Sequence, residues 1–160
     1  MADTQVSEAC PSNRVRVQIS SSAYIKVKMN NEKVEKFLKL VDILEKLRGE
    51  HGCPWDKKQT HQSLMKYLFE ESNEYNEAVN KQDYDNMKEE LGDVLLQVIF
   101  HAQIAKENNK FDIYDVLDCI NEKMVRRHPH VFGNSKATTE EEIRVEWEKI
   151  KQLEKSKKVK

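Results

Sequence analysis

The residues best suited to chemistry are four acids in two pairs: Glu71 and Glu74 in "FEESNEYNEA", and Glu90 and Asp93 in "EELGDVLLQV". On an α-helix, positions three apart share a face, so each pair projects both carboxylates to one side. Carboxylates brought together raise one another's proton affinity and destabilise a fold unless a cation offsets them. All-oxygen ligation suits a hard cation, Mg2+ first, with Mn2+ as a substitute. Both pairs border apolar residues. Glu71 and Glu74 stand among Leu68, Tyr75 and Ala78, and Glu90 and Asp93 among Leu91, Val94 and Leu95. Acids that merely solvate an amphipathic helix are segregated from such a stripe. Glu70 and Glu89 each lie one residue off the pairs, and Glu70 is the better candidate for a base acting on a water at the site.

Two neighbouring helices must position these acids. The pattern predicts one helix from about Gln62 to Asn80, with Leu64, Leu68, Tyr75, Ala78 and Val79 on its apolar side. A second runs from about Tyr84 to Asn108, with Met87, Leu91, Val94, Leu95, Val98, Ile99 and Ala102 facing the core. The short turn "KQDYD", in which Asp83 can cap the second helix, makes the two antiparallel and sets their acid pairs opposite each other. An earlier amphipathic helix starts at Asn31 and stops before Gly49, and "GEHGCPWDKKQT" reads as a loop. Asp112 can cap a helix reaching Arg127. "HPHVFGNSKA" is a loop, because Pro129 and Gly133 both oppose helix continuation. Thr139 with Glu142 forms a capping box that opens a last, charged helix.

The expected fold class is therefore all-α, a bundle of four helices with an additional C-terminal helix. Its expected organisation is an N-terminal extension over 1–30, a helical domain over 31–155 and a basic tail over 156–160. The extension is Ser/Thr/Asn-rich and reads as flexible, with "RVRVQISSSAYIKVKM" as one weak strand at most.

Composition narrows the function. At 160 residues the chain is long enough for a sizeable core. Its 27 basic and 28 acidic residues give a net charge of -1, so no overall positive field recruits nucleic acid or an anionic membrane. An anionic ligand must be met by a local cluster. Three cysteines without ligand spacing argue against a disulfide framework or structural zinc and for a cytoplasmic location. No stretch approaches the length of a membrane span.

Two cationic groupings have suitable spacing. Lys123 and Arg127 are four residues apart near a helix end, as are Trp147 and Lys151 on the last helix, so each pair can face one site. By itself the first pair is equally well explained as cations at a helix C-terminus. Trp55, in a polar segment, offers an aromatic wall to a ligand, and Lys57 and Lys58 beside it can approach an anionic group. His128 and His130 are not catalytic candidates, and His101 reads as a satisfied bundle histidine.

Glu71-x-x-Glu74 followed sixteen residues later by Glu90-x-x-Asp93 resembles the signature of the MazG-type nucleoside triphosphate pyrophosphohydrolases. "GCPWDKKQT", "EELGDVLLQVIFHAQIA", "RRHPHVFG" and "EWEKIK" resemble that family in the same order, so the likeness spans roughly residues 34 to 153. It implies an all-α homodimer or homotetramer that uses Mg2+ to split nucleoside triphosphates into monophosphate and pyrophosphate, a reaction that cleans the nucleotide pool. It further implies that Glu71, Glu74, Glu90 and Asp93 hold the metal, and that Lys123, Arg127, Trp147 and Lys151 meet the triphosphate. Related enzymes of narrower substrate, acting on dUTP, dCTP or phosphoribosyl-ATP, are the alternative within the superfamily. A non-enzymatic helical interaction module is the alternative outside it. A ferritin-like di-iron site is disfavoured because none of the five histidines follows a Glu by three residues.

Overall fold

Helical periodicity dominates the sequence from Asn31 onward, and the computed structural model, which describes residues 31–158, is all-α. The helices are α1 Asn31–Arg48, α2 Pro54–Lys58, α3 His61–Lys81, α4 Tyr84–Glu107, α5 Ile113–Arg127, α6 Pro129–Phe132 and α7 Glu140–Lys158. The expected extension over 1–30 lies outside the described residues, and α7 continues past residue 155 to Lys158. The chain divides into two compact units, one ending at Ile113 and the other beginning at Tyr114.

In the first unit α3 and α4 form an antiparallel pair, and α1 packs against α4 and α2. Thr60 caps α3, its hydroxyl accepting from the Ser63 amide while the Ser63 hydroxyl accepts from the Thr60 amide. These bonds satisfy amides that the first turn of a helix leaves unpaired. Gln82, in the left-handed region at φ 55°, ends α3, and Asp83 accepts from the Asn86 amide at 3.2 Å to start α4. This tight reversal sets the two acid-bearing helices side by side. Leu64 and Ala78 of α3, Ile99, Phe100, Ala102, Ile104 and Ala105 of α4, and Val41 and Leu44 of α1 are the buried apolar residues of these three helices. Each fully buried aliphatic side chain contributes roughly 2 kcal/mol.

The apolar reading of these helices needs one correction. Val79, Leu91, Leu95 and Val98, expected on the buried side, are exposed. Helix α4 carries apolar residues around most of its circumference, and only one side of it meets α3 and α1. Leu91, Leu95 and Val98, spaced four and three apart, form a continuous exposed row.

The segment expected to be a loop after α1 contains a helical turn. Pro54 starts α2, where its missing N–H and fixed φ fit the first turn. Before it, the Cys53 amide folds back onto the Leu47 carbonyl at 2.7 Å. Only glycine fits at position 52, because a Cβ there would collide with the carbonyl oxygens of Lys46 and Leu47.

Arg48 locks this corner. Its guanidinium donates to both carboxylate oxygens of Glu107 at 2.8 and 2.6 Å and to the carbonyls of Asp56 and Gln59, and it lies 5.4 Å from the Phe100 ring centroid. The Arg48 side chain is only 6% exposed. Truncating it leaves the Glu107 carboxylate with the Gln103 amide as its remaining donor, the Asp56 carbonyl with the Gln59 amide, and the Gln59 carbonyl without the Arg48 bond. Arg48→Ala is expected to lower stability by about 2 kcal/mol, read from urea unfolding.

In the second unit, the expected loop after α5 likewise contains a short helix, α6. Pro129 stands at its first position, where a missing N–H is tolerated, and the Gly133 amide closes it on the Pro129 carbonyl at 3.0 Å. The Glu142 carboxylate accepts from the Thr139 amide at 3.1 Å, and the Thr139 hydroxyl accepts from the Glu142 amide at 3.3 Å. This is the expected capping box, and it holds the Glu142 carboxyl below its usual range through the Thr138 and Thr139 amides. No helix among the described residues is long and apolar enough to cross a membrane.

Candidate active site

Helix geometry places Glu71 and Glu74 on one side of α3 and Glu90 and Asp93 on one side of α4, and the α3–α4 reversal turns these sides together. Carboxylate oxygens of Glu71, Glu90 and Asp93 lie within 4.8 Å of one another. Glu74 adjoins the group, close enough for its charge to raise the proton affinity of both Glu71 and Glu90. Glu90 is 8% exposed, an unusual position for an acid without a cation beside it.

The proton affinities follow from that crowding. Burial, then the charges of Asp93, Glu74, Glu90 and Glu70, push the Glu71 carboxyl above its ordinary value. Burial, then the charges of Glu74, Asp93 and Glu89, with the Glu74 hydrogen bond, do the same to Glu90. A cluster of carboxylate oxygens this close fits Mg2+ or Mn2+, both hard, oxygen-seeking ions. Glu70 and Glu89 stand outside this group and add to its field.

The cationic candidates of α5 and α7 belong to the second unit. Arg127 lies 5.5 Å from the Trp147 ring centroid and Lys151 lies 4.1 Å from it, so one indole serves both cations. Lys151 also pairs with Glu148 at 3.2 Å. Lys123, one turn before Arg127, has no hydrogen bond or ion pair to a described residue.

Trp55 is half exposed on α2 and meets Tyr67 edge-on, centroids 5.8 Å apart. Tyr67 precedes Glu71 by one turn, so the tryptophan stands toward the acid-bearing side of α3. Lys57 donates to the Glu50 carbonyl at 2.7 Å, whereas Lys58 is exposed.

Sequence reasoning missed three features. Gln97, four residues after Asp93 and seven after Glu90 on α4, is 6% exposed, and its Oε1 has no hydrogen-bond partner among the described residues. His101 is not the satisfied bundle histidine expected. It stacks on His61 with Nδ1 atoms 2.8 Å apart, and its buried Nε2 has no partner among the described residues. Burial and the neighbouring His61 lower its pKa. Glu154, the third, joins Arg126 and Arg127. Its signal was present in the sequence as a position three beyond Lys151 and seven beyond Trp147 on one helix face.

An antiparallel helix pair with four converging carboxylates defines an all-α protein whose acidic cluster is of a kind that can hold a hard metal ion. Residues 59–132 match the family model described as MazG nucleotide pyrophosphohydrolase domain. The chain is 57% identical over 122 residues to the nucleoside triphosphate pyrophosphohydrolase/pyrophosphatase MazG of Thermotoga maritima, covering 76% of this chain and 46% of that protein. It is 44% identical over 121 residues to the nucleoside triphosphate pyrophosphohydrolase of Escherichia coli, covering 75% and 46% respectively. A crystal structure of a MazG-related protein from Thermotoga maritima superposes with a TM-score of 0.61 at 31% identity, over 72% of this chain and 98% of that one. The chain belongs to the MazG nucleotide pyrophosphohydrolase family. It spans about half the length of these two curated relatives.

Proposed function

We propose that this protein hydrolyses nucleoside triphosphates, ribo- or deoxyribo-, to nucleoside monophosphate and pyrophosphate in a Mg2+-dependent reaction, as a means of cleaning the nucleotide pool. The observation that carries this reading is the convergence of Glu71, Glu90 and Asp93 oxygens within 4.8 Å, with the Glu74 charge beside Glu90, inside the segment that matches the family.

In this reading Glu71, Glu74, Glu90 and Asp93 hold Mg2+, with Mn2+ as a substitute. A metal bound there supplies charge neutralisation on the phosphates and lowers the pKa of a bound water. One of Glu70, Glu71 and Glu74 takes the proton of the attacking water. The water oxygen bonds to the α-phosphorus, the bond from that phosphorus to the α–β bridging oxygen breaks, and pyrophosphate departs with the electron pair. Lys123, Arg127 and Lys151 meet the outer phosphoryl oxygens, Trp147 braces the two cations that flank it, and Trp55 offers its exposed face to the base, with Lys57 and Lys58 nearby.

The exposed row Leu91, Leu95 and Val98 supports the further reading that the working form is a homodimer or homotetramer, since such a row is ordinarily covered, and three cysteines without ligand spacing support a cytoplasmic location. Nucleic acid and membranes are not among its partners in this reading, which rests on the balanced charge. A panel of ribo- and deoxynucleoside triphosphates assayed with Mg2+ tests the activity. Pyrophosphate is the expected first product, and orthophosphate as first product would exclude the α–β cleavage. The same panel separates a broad enzyme from one restricted to dUTP, dCTP or phosphoribosyl-ATP when the last is included.

A further inference from the structure

We infer that Glu154 is a positioning residue for anion binding: it clamps one edge of the Arg127 guanidinium so that the opposite edge is presented, with Lys123, to a phosphoryl group. The inference deepens the proposed function and rests on the assignment of Arg127 to the substrate's phosphates.

The geometry lies wholly within the unit of α5 and α7. Oε2 of Glu154 accepts from Arg127 Nε at 3.1 Å and from Nη2 at 2.6 Å, while Oε1 accepts from Arg126 Nε at 2.7 Å. The Arg127 and Glu154 side chains are 19% and 18% exposed, so the pair is substantially shielded from solvent. Trp147 fixes a second direction, its ring centroid 5.5 Å from the guanidinium carbon. With the Nε and Nη2 edge held by the carboxylate and the plane beside the indole, the long side chain loses most of its rotational freedom before any ligand arrives. The Nη1 edge has no partner among the described residues, and neither does Lys123, four residues earlier on the same side of α5.

A guanidinium donates in a fixed planar fork, so fixing one edge fixes the direction of the other. That is what bidentate recognition of a phosphoryl group requires, and a flexible arginine must otherwise be ordered at the moment of binding. The Glu154 carboxyl is held down at about 2, chiefly by the Arg127 hydrogen bonds, so the clamp carries its full charge at neutral pH. Glu154 neutralises part of the site's positive charge and thereby opposes anion attraction. The positioning role predicts that orientation outweighs this loss.

The test uses the full chain and three variants, with two readouts. Pyrophosphate alone, titrated calorimetrically without divalent metal, reports the anion site independently of catalysis; KM and kcat for a nucleoside triphosphate with Mg2+ report its use. Glu154→Ala is expected to weaken pyrophosphate binding about tenfold and raise KM by a similar factor, with kcat changed less than about threefold. Glu154→Gln retains one acceptor oxygen and is expected to recover part of the affinity. Arg126→Ala, which loses the ion pair to Oε1 but leaves the Arg127 clamp, is expected to keep both readouts within about twofold.

Unchanged or tighter pyrophosphate binding in a folded Glu154→Ala protein overturns the inference, as does a loss in Arg126→Ala equal to that in Glu154→Ala, which would mark a purely structural clamp. If Glu154→Ala does not fold, weaker binding in Glu154→Gln with Arg126→Ala unaffected sustains the inference, and wild-type affinity in Glu154→Gln overturns it. Should the wild type bind pyrophosphate yet leave nucleoside triphosphates intact, the activity reading fails and the pyrophosphate titration still decides the role of Glu154. A wild type that binds no pyrophosphate overturns the inference as well.

Discussion

Glu90→Gln is expected to lower pyrophosphate release from nucleoside triphosphates by about 10²-fold or more while raising the thermal stability of the metal-free protein. The two effects have one cause. Glu90 is 8% exposed, and burial together with the charges of Glu74, Asp93 and Glu89 disfavours its ionised form. An amide of the same shape removes that repulsion and can still hydrogen-bond to Glu74. It cannot supply the charge that a hard cation needs. A substitution that raises the melting temperature of the metal-free chain yet abolishes turnover marks a residue retained for function against the interest of the fold. Differential scanning calorimetry in EDTA and a pyrophosphate-release assay read the two halves separately. Undiminished turnover in this variant would remove Glu90 from the metal site.

The second large effect is expected from the metal itself. Mg2+ at about one hundred times its dissociation constant should stabilise the folded chain by about 2.7 kcal/mol, which for a chain of this size corresponds to roughly 5–10 °C in melting temperature. The pH dependence has a definite sign. Glu71 and Glu90 bind protons more tightly in the folded chain than at the ordinary carboxyl value of 4.5. The metal-free protein is therefore favoured by this cluster below 4.5 and loses that contribution as pH rises through the raised folded values. Metal stabilisation runs the other way. It grows as pH rises and shrinks as pH falls and protons compete for the same oxygens. Thermal melts with Mg2+ and with EDTA across pH 5–8 check both slopes. Identical melting temperatures in the two media at pH 8 would favour the non-enzymatic helical module.

Most helices were legible because their signals are local. Period and caps located α3, α4 and α7, and Asp83, Thr139 and Glu142 make the bonds their positions suggested. The short helices α2 and α6 were read as loops, since Pro and Gly signal a chain reversal without revealing that a single turn can start on proline. Arg48 looked like the last residue of a helix. Its bonds to Glu107, 59 residues away, depend on α1 and α4 packing together. Glu154 stood in a lysine-rich helix as one charge among many, and its hydrogen bonds to two arginines of α5 exist only in the folded unit. The exposure of Leu91, Leu95 and Val98 was likewise invisible, because an apolar residue reads the same in sequence whether α3 or solvent lies beside it.

By itself the sequence determined that the chain is helical and that four acids lie in pairs on helix faces beside apolar residues. It also placed a reversal between those pairs that makes their helices neighbours. Each of these follows from backbone geometry repeating every few residues, so each can be read within one segment. The tertiary structure alone decided that Glu71, Glu90 and Asp93 converge within 4.8 Å, that the Glu74 charge stands beside Glu90, and that Glu90 is the acid buried most deeply. It also decided that Gln97 lies buried on the same helix with an unpartnered oxygen. Helical periodicity fixes which residues share a face, but the rotation and register of one helix against another are set by how the buried residues of α3, Leu64 and Ala78, and of α4, Ile99, Phe100 and Ala102 among them, fill the core between the packed helices. That packing turns two pairs of acids into one site.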